Sequence, residues 1–458
     1  MLPKTASANQ PNLFYGSLMD MLDLNDPLIA LANAIDWALI ENALSKFYSF
    51  HKGRPAKPIR LMAGLLMLKQ LENLSDESVV LQWKRNPYYQ YFCGMNDYQA
   101  AFPCDSTELV KFRNRIGQAG VDVIFSASVA LHCKDAEEDL VIIDTTAHEK
   151  NVTYPTDGKL AIKIINRLHK IAKREGIGLR RTYIKEIKGH RITLRFFRHP
   201  KKKKKAASAM KRLRTIAKTL IRDLDRHFDD KQHKRYSEEF YLFMRILLQK
   251  RTSRNKVYSL HESHIYAMAK GKDHKSYEYG TKASIVSTYT NGIIVGVSSH
   301  DINQHDSKTL ESALKHAHTN RRTTIEEAVC DRGYRGNKQV GLTHISIPGV
   351  HLKRDTEKQK EDKRKKFRRR AAVEPIIGHL KNDYRMARNY LKGFIGDQIN
   401  LLMAACTWNL KKWMNAFIHT LFFTVKYWLL VSLANQLIKE WKSMPELSTG
   451  MTLTRAQN

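Results

Sequence analysis

The chain has 458 residues, with 78 Lys+Arg against 45 Asp+Glu and a formal charge of +33. That length can bury a large core spread over two or three domains, and that charge calls for a polyanionic partner without saying anything about fold. Five scattered cysteines (Cys93, Cys104, Cys133, Cys330, Cys406) form neither a Cys-x-x-Cys pair nor a zinc spacing, which argues against a disulfide scaffold or zinc finger and for a reducing compartment.

The start, Met1-Leu2-Pro3-Lys4-Thr5, has no charged segment followed by an apolar one, so no secretory signal is expected. Residues 20–135 read as helices. An apolar stripe runs over 60–71, Ser75 is placed to cap the next helix, and Asp105 with Glu108 fits a capping box. Lys111, Arg113 and Arg115 then decorate a helix. A basic helical region of this kind suits binding of DNA ends, and composition alone suits a scaffold or dimerisation unit as well.

From residue 140 the period changes. Residues 140–144 form a continuous apolar run, as expected of a strand buried on both faces. Residues 160–255 are helix-like and basic, including the lysines at 201–205, Lys211, Arg212 and Arg214. The β-branched runs at 283–289 and 293–297 flank Thr290-Asn291-Gly292, a hairpin signal because Asn and Gly tolerate positive φ. A helix is predicted over 306–318 and strands over 325–330 and 344–347, the last stopped by Pro348-Gly349. Residues 353–370 carry a dense basic run, and Pro375 predicts a helix starting near 372–374. The apolar stretch 413–433 contains Asn415, His419, Thr420, Thr424 and Lys426; it reads as a buried or partner-facing helix rather than a membrane span. The end of the chain, after about residue 440, carries no readable signal.

Three carboxylates stand out. Asp144 ends the run Leu140-Val141-Ile142-Ile143, Asp331 follows Ala328-Val329-Cys330, and Glu374 sits at the predicted helix start behind the basic run. Strand-end aspartates with a helix-borne glutamate suit a two-metal phosphoryl-transfer site, since Mg²⁺ takes oxygen ligands and needs few from protein when a phosphate supplies others. Alone, each acid reads equally as a turn or cap residue; the combination carries the signal. His148 and Lys150 follow Asp144 closely and either approach a phosphate or are ordinary strand-end polarity. His274, His305 and Asp306 either line the cleft or are exposed loop residues. No Ser-His-Asp ordering, phosphate-binding Gly-rich loop or dinucleotide fingerprint is present, which argues against an ATPase or an acyl-transfer enzyme.

The stretches Ile143-Asp144-Thr145-Thr146, Asp331-Arg332-Gly333-Tyr334-Arg335-Gly336 and Ala372-Val373-Glu374-Pro375 through His379-Leu380-Lys381 together resemble the DDE transposases of bacterial insertion sequences, of the IS-five kind. Gly271-Lys272-Asp273-His274-Lys275-Ser276-Tyr277, Tyr88-Tyr89-Gln90-Tyr91-Phe92-Cys93-Gly94 and Phe102-Pro103-Cys104-Asp105-Ser106 share the likeness, which runs from about residue 20 to residue 415. The resemblance implies an α/β fold: an RNase H-like mixed-sheet catalytic domain (136–415) with a large basic helical insertion after the first strand (about 160–255). An all-helical N-terminal domain (1–135) precedes it, and a C-terminal apolar helix and tail (416–458) follow.

It also implies that the Asp144 and Asp331 strands lie side by side, with two Mg²⁺ (or Mn²⁺) ions bridged by Asp144 and held singly by Asp331 and Glu374. The family signature places an arginine four residues before the glutamate and a lysine seven after, matched by Arg370 and Lys381; its tyrosine is Phe367 here. Arg370, Lys381, Lys366, Arg369, Arg332 and Arg335 are the expected DNA contacts. The implied activity is cleavage at terminal inverted repeats and joining of the freed 3′-hydroxyls to target DNA. A homodimer or higher oligomer would act on double-stranded DNA, at the nucleoid in the cytoplasm, without a membrane. A divalent-metal nuclease on the same fold and a non-catalytic DNA-binding relic are the alternatives.

Overall fold

The computed structural model describes residues 1–2, 17–49, 51, 53–250, 252–272, 275–349 and 354–443. The expectations that fall on Pro3, Lys4, Thr5, Asp273, His274, Lys353 and the end of the chain lie outside the described residues. Among those described, helices come first: α1 (Leu18–Met21), α2 (Pro27–Ala34), α3 (Trp37–Ser45), α4 (Ile59–Leu71), α5 (Asp76–Arg85), α6 (Pro87–Phe92) and α7 (Ser106–Ala130). The caps read from sequence are made. Ser75 accepts the Ser78 N–H at 3.0 Å, and Asp105 and Glu108 form a reciprocal box at the start of α7. Arg113 is not a surface charge: its guanidinium is buried and pairs with Asp76 at 2.7 and 2.6 Å, because α7 packs that face on α5. Arg115 is exposed but lies over the Tyr48 ring at 4.6 Å.

Strand β1 (Leu140–Glu149) follows, then α8 (Asp157–Arg174), α9 (Ile184–Thr193), α10 (Lys203–His227) and α11 (Asp230–Leu248). After them come β2 (Tyr266–Lys272), β3 (Lys275–Thr288), β4 (Ile294–His300), α12 (Leu310–Thr319), β5 (Glu327–Val329), β6 (Gln339–Val340) and β7 (Thr343–Ser346). Helices α13 (Glu357–Arg370), α14 (Val373–Asn382) and α15 (Gly393–Ser443) end the described chain. The result is a mixed α/β structure on a seven-stranded mixed sheet, ordered β2-β3-β1-β5-β7-β6, with β4 also on β3.

Strand β3 organises one half of this sheet. It pairs antiparallel with β1 over 280–288, while its other edge takes β2 over 275–280 and then β4 over 282–287. Gly280 permits this closeness, since a Cβ there would stand 1.9 Å from the His148 carbonyl oxygen. The β3–β4 turn is wider than a two-residue hairpin. Thr288 and Ile293 bond across it, and Gly292 alone among the turn residues takes positive φ, +64°. On the far side β1, β5 and β7 run parallel.

Among the described residues two large cores, with a small cluster of Leu18, Leu22 and Ile29 beside them, hold the chain. One is continuous from Leu28 through α2–α7, the sheet, α12 and α14 to Met414 of α15, so the first helices are packed onto the sheet's own core. Asn409 of α15 exchanges two hydrogen bonds with the Ile294 backbone (3.0 and 2.8 Å), a helix side chain standing in for a neighbouring strand. The second core gathers Leu160, Ile164, Leu168, Leu213, Leu220 and Phe243 from the four helices between β1 and β2, leaving the lysines at 201–205 exposed.

Two expectations are corrected. Strand β1 does not stop at Asp144 but runs on through Glu149, because its polar second half finds buried partners: His148 with Asn400 at 2.9 Å, and Lys150, just beyond it, with Asp397 at 2.6 Å. The apolar stretch 413–433 is not a separate helix and is not buried. It continues α15, whose first half is core (Ile399, Leu401, Met403, Cys406, Leu410) and whose second half exposes Phe422 (64%) and Leu430 (58%). By length and composition α15 is the one described helix able to cross a membrane.

Asp397 sits in the tightest charged cluster. It accepts from Lys150 (2.6 Å), Asn389 (2.6 Å) and His264 (2.9 Å), tying the end of β1 to the start of α15. Burial pushes its carboxyl up, but the His264 bond and the charge and hydrogen bond of Lys150 more than offset this and hold it below the ordinary value. Replacing Asp397 by Ala leaves the buried Lys150 ammonium with only Glu262, at 3.4 Å, as its carboxylate partner. Urea unfolding at pH 7 should show a loss of about 3 kcal/mol. Because the folded pKa lies below the unfolded one, the carboxylate's contribution is complete above about pH 4 and fades as pH falls through the folded value. The difference between wild type and Asp397→Ala should therefore shrink in acid.

Candidate active site

Strands β1 and β5 pair in parallel, with Val141 beside Ala328 and Ile142 beside Val329. Asp144 lies two residues beyond Ile142 and Asp331 two beyond Val329, so the register continued past its last pair brings the two aspartates alongside each other, and the Asp331 charge acts on Asp144. Side chains two apart share a face, and neighbouring parallel strands stand about 4.8 Å apart. The Asp331 carboxylate is fixed by its own turn, accepting the Gly333 N–H at 2.8 Å. Asp144 accepts the N–H of Thr145 at 2.7 Å.

Glu374 comes from the break between two helices. The basic run forms α13, capped by Thr356, and α14 restarts at Val373 with Glu374 and Pro375 in its first turn, where proline needs no N–H partner. Arg370, in the last turn of α13, reaches both sides. Its guanidinium is 3.5 Å from Asp144 Oδ2 and 3.9 Å from Glu374 Oε1. The side chains of Asp144 and Arg370 are 18% and 20% exposed and that of Glu374 is 67%, so two of the three are fixed and the glutamate is free to adjust.

Burial pushes the Asp144 carboxyl up to about 6; the Thr145 N–H and Arg370 oppose this, while Asp331 and Asp306 add to it. Acids crowded in this way are relieved by a cation. The donors are hard oxygens, which fit Mg²⁺ or Mn²⁺ and not a thiophilic ion. Among the described residues no three His, Cys, Asp or Glu side chains stand close enough to cage an ion. Mg²⁺ does not need such a cage where waters and a phosphate complete its shell.

The other expected contacts divide by placement. Lys366 pairs with Glu327 on β5, and Arg369 donates to the carbonyls of Tyr289 (3.0 Å) and Thr290 (2.6 Å); both fasten α13 to the sheet. Lys358, Arg364, Lys365 and Arg368 of the same helix face solvent. Arg332 and Arg335 are exposed on either side of buried Tyr334. Lys381 lies two turns along α14, near enough to His148 for its charge to act there. Burial, above all, holds that imidazole down at about 4. His148 and Lys150 are buried in the network at the end of β1 and do not approach the acids. His305 is exposed and bonded to Ser307, whereas Asp306 stands within the site.

Sequence reasoning missed Thr145, Lys282 and Tyr334 as site residues. Thr145 and Lys282 both bond Asp306, at 3.0 and 2.8 Å, and Tyr334 is fully buried beside them. A lysine inside the otherwise uncharged run that follows it in β3 was the available signal for Lys282.

Residues 16–115 match the model of a Transposase domain (DUF772), and residues 214–410 match that of a Transposase DDE domain, which takes in Asp331 and Glu374. The chain is 37% identical over 204 residues to the uncharacterized protein ORF8 in the nfe locus of Rhizobium meliloti, covering 43% of this chain and 98% of that one. No solved structure matches. With its acids arranged on this sheet and both transposase domains recognised, the chain belongs to the DDE transposases of insertion sequences.

Proposed function

We propose that this transposase binds the terminal inverted repeats of its own element, cuts a strand at each end and joins the freed 3′-hydroxyls to target DNA. The proposed centre is Asp144, Asp331 and Glu374 on an RNase H-like domain, with two Mg²⁺ or Mn²⁺ ions. One observation carries the reading: the β1–β5 register brings two acids alongside each other, and Arg370 links one of them, Asp144, to the third.

Bound ions would supply Lewis acidity, activating a water or 3′-hydroxyl and stabilising the leaving oxygen. Asp144, half-buried between β3 and β5, fixes where charge is neutralised. Glu374, on a helix start and largely exposed, can close on the DNA once its phosphate is seated. Arg370 carries a charge that can pass from the carboxylates to the scissile phosphate. Direct transesterification needs no covalent enzyme intermediate, so no nucleophilic side chain is required. The exposed basic face of α13, with Arg332, Arg335 and Lys381, suits the phosphate backbone, and the exposed lysines at 201–205 offer a further basic patch on the helical insertion. Synapsis of two ends requires at least two copies, acting at the nucleoid in the cytoplasm.

A labelled, pre-cut element end mixed with plasmid DNA and Mg²⁺ tests this. Wild type should join it, and Asp144→Ala, Asp331→Ala and Glu374→Ala should each lose at least about 1,000-fold, the loss of several kcal/mol of charge stabilisation. Cutting without joining would leave a nuclease, and DNA binding without either a relic.

Arg370 yields a prediction of opposite signs. Arg370→Gln removes a cation that competes for Asp144 and Glu374, so Mn²⁺ should bind a few-fold more tightly, about 1 kcal/mol, while affinity for the DNA end falls. Titration of free Mn²⁺ and of labelled DNA measures the two; weakened Mn²⁺ binding would show that the arginine supports the acids rather than competing for them.

A further inference from the structure

Asp306 opens a short 3₁₀ turn between β4 and α12 and belongs to no motif that identifies the site. Its Oδ1 is fully engaged: it accepts from Thr145 Oγ1 at 3.0 Å and from Lys282 Nζ at 2.8 Å. Thr145 is the residue after Asp144, and Lys282 lies on β3 opposite Ala147 of β1. Oδ2 is left over, and it faces Asp331. The position that a Cβ on Gly333 would take lies 3.0 Å from Asp331 Oδ1 and 3.2 Å from Asp306 Oδ2. Glycine thus leaves a gap open beside both carboxylates, which a side chain there would crowd.

A second observation points to a ligand there. The Tyr334 hydroxyl is fully buried, makes no hydrogen bond of normal geometry beyond a loose approach to Thr145, and lies in the field of Asp144 and Asp306. A buried hydroxyl left this way calls for a partner that completes it, such as a water on a bound ion. The cluster is also reachable. Asp306 lines, with Thr145, Thr146, Lys282 and Asn303, a polar crevice open to solvent.

We propose that Asp306 is a fourth carboxylate of the centre, ligating a divalent cation across the Gly333 gap from Asp331, with Lys282 as the counter-ion that it exchanges for that cation. The proposal rests on the metal-site reading above. On binding, the Lys282 ammonium gives up its 2.8 Å contact and keeps its bond to the Gln304 carbonyl, at 2.6 Å. Thr145 holds the carboxylate in place throughout. An acid pre-paired with an ammonium costs less to keep partly buried than a bare one, and it makes cation affinity depend on how readily the lysine leaves.

The test is Mn²⁺ binding to the full chain, read from the electron paramagnetic resonance signal of free Mn²⁺. Asp306→Asn, Lys282→Gln and Asp144→Asn are compared with wild type, and each unfolding temperature is taken in chelator. Asp306→Asn should weaken binding about tenfold, within the range for losing a group that supports a metal. Its unfolding temperature should stay near wild type. Lys282→Gln should tighten binding severalfold. Wild-type affinity in Asp306→Asn, with binding lost in Asp144→Asn, would overturn the role of Asp306 and leave the metal site standing. Wild-type affinity in both would overturn the metal-site reading itself. Should Asp306→Asn fail to fold, Lys282→Gln decides alone, and weaker or unchanged binding there rules the exchange out.

Discussion

The pairing of β1 with β5 brings two carboxylates alongside one another, and the surrounding structure is arranged to tolerate that placement. At about 5 Å and an effective dielectric near 20, two such charges repel by about 3 kcal/mol. The fold holds them there through backbone that cannot yield. β1 is pinned on one side by nine paired positions of β3 and on the other by β5, itself held by β7. The repulsion is met by N–H donors at Thr145 and Gly333 and by the guanidinium of Arg370. A site that repels itself when empty would gain when a divalent cation enters, which is the physical basis of the proposed metal dependence.

Much of the rest serves to keep β1 straight and full length. Its far end is anchored by the Lys150–Asp397–His264 cluster and by the His148–Asn400 bond, both reaching into or across the start of α15. That helix also stitches β4 through Asn409 and lies against α7, α2 and α4, so the N-terminal helices brace the sheet that carries the acids. The glutamate is treated differently. It rides on the α13–α14 break, fastened to the sheet by Lys366 and Arg369 but otherwise exposed. Two acids are thereby fixed and one is adjustable, an arrangement suited to a substrate as large as DNA, which must be seated before the centre is complete.

Local chemistry was legible in the sequence and long-range chemistry was not. The Ser75 and Asp105 caps, the hairpin around Gly292 and the helix start at Pro375 depend on neighbours in the chain, and each is found where expected. The apolar runs before Asp144 and Asp331 marked strands, but their adjacency rested on family likeness, since periodicity says nothing about which strands pair. The polar second half of β1 was invisible because its partners, Asn400 and Asp397, lie some 250 residues away. For the same reason Arg113 looked like a surface charge until Asp76 was seen to hold it. β2 (Tyr266–Lys272) went unread because its small, polar and glycine residues lack an apolar alternation. The second half of α15 misled in the opposite sense: its composition is that of a core, and among the described residues nothing covers it.

The central claim is that Asp144 touches the divalent cation during joining. It is tested most directly by end joining with Asp144→Cys in Mg²⁺ and in Mn²⁺, because a thiolate is a poor ligand for the first and an acceptable one for the second. The account predicts that joining is lost in Mg²⁺ and returns in Mn²⁺, while Asp144→Ala stays inactive in both. Joining by Asp144→Cys in Mg²⁺ at the wild-type rate would contradict it, and would move the catalytic cation away from the β1–β5 pair.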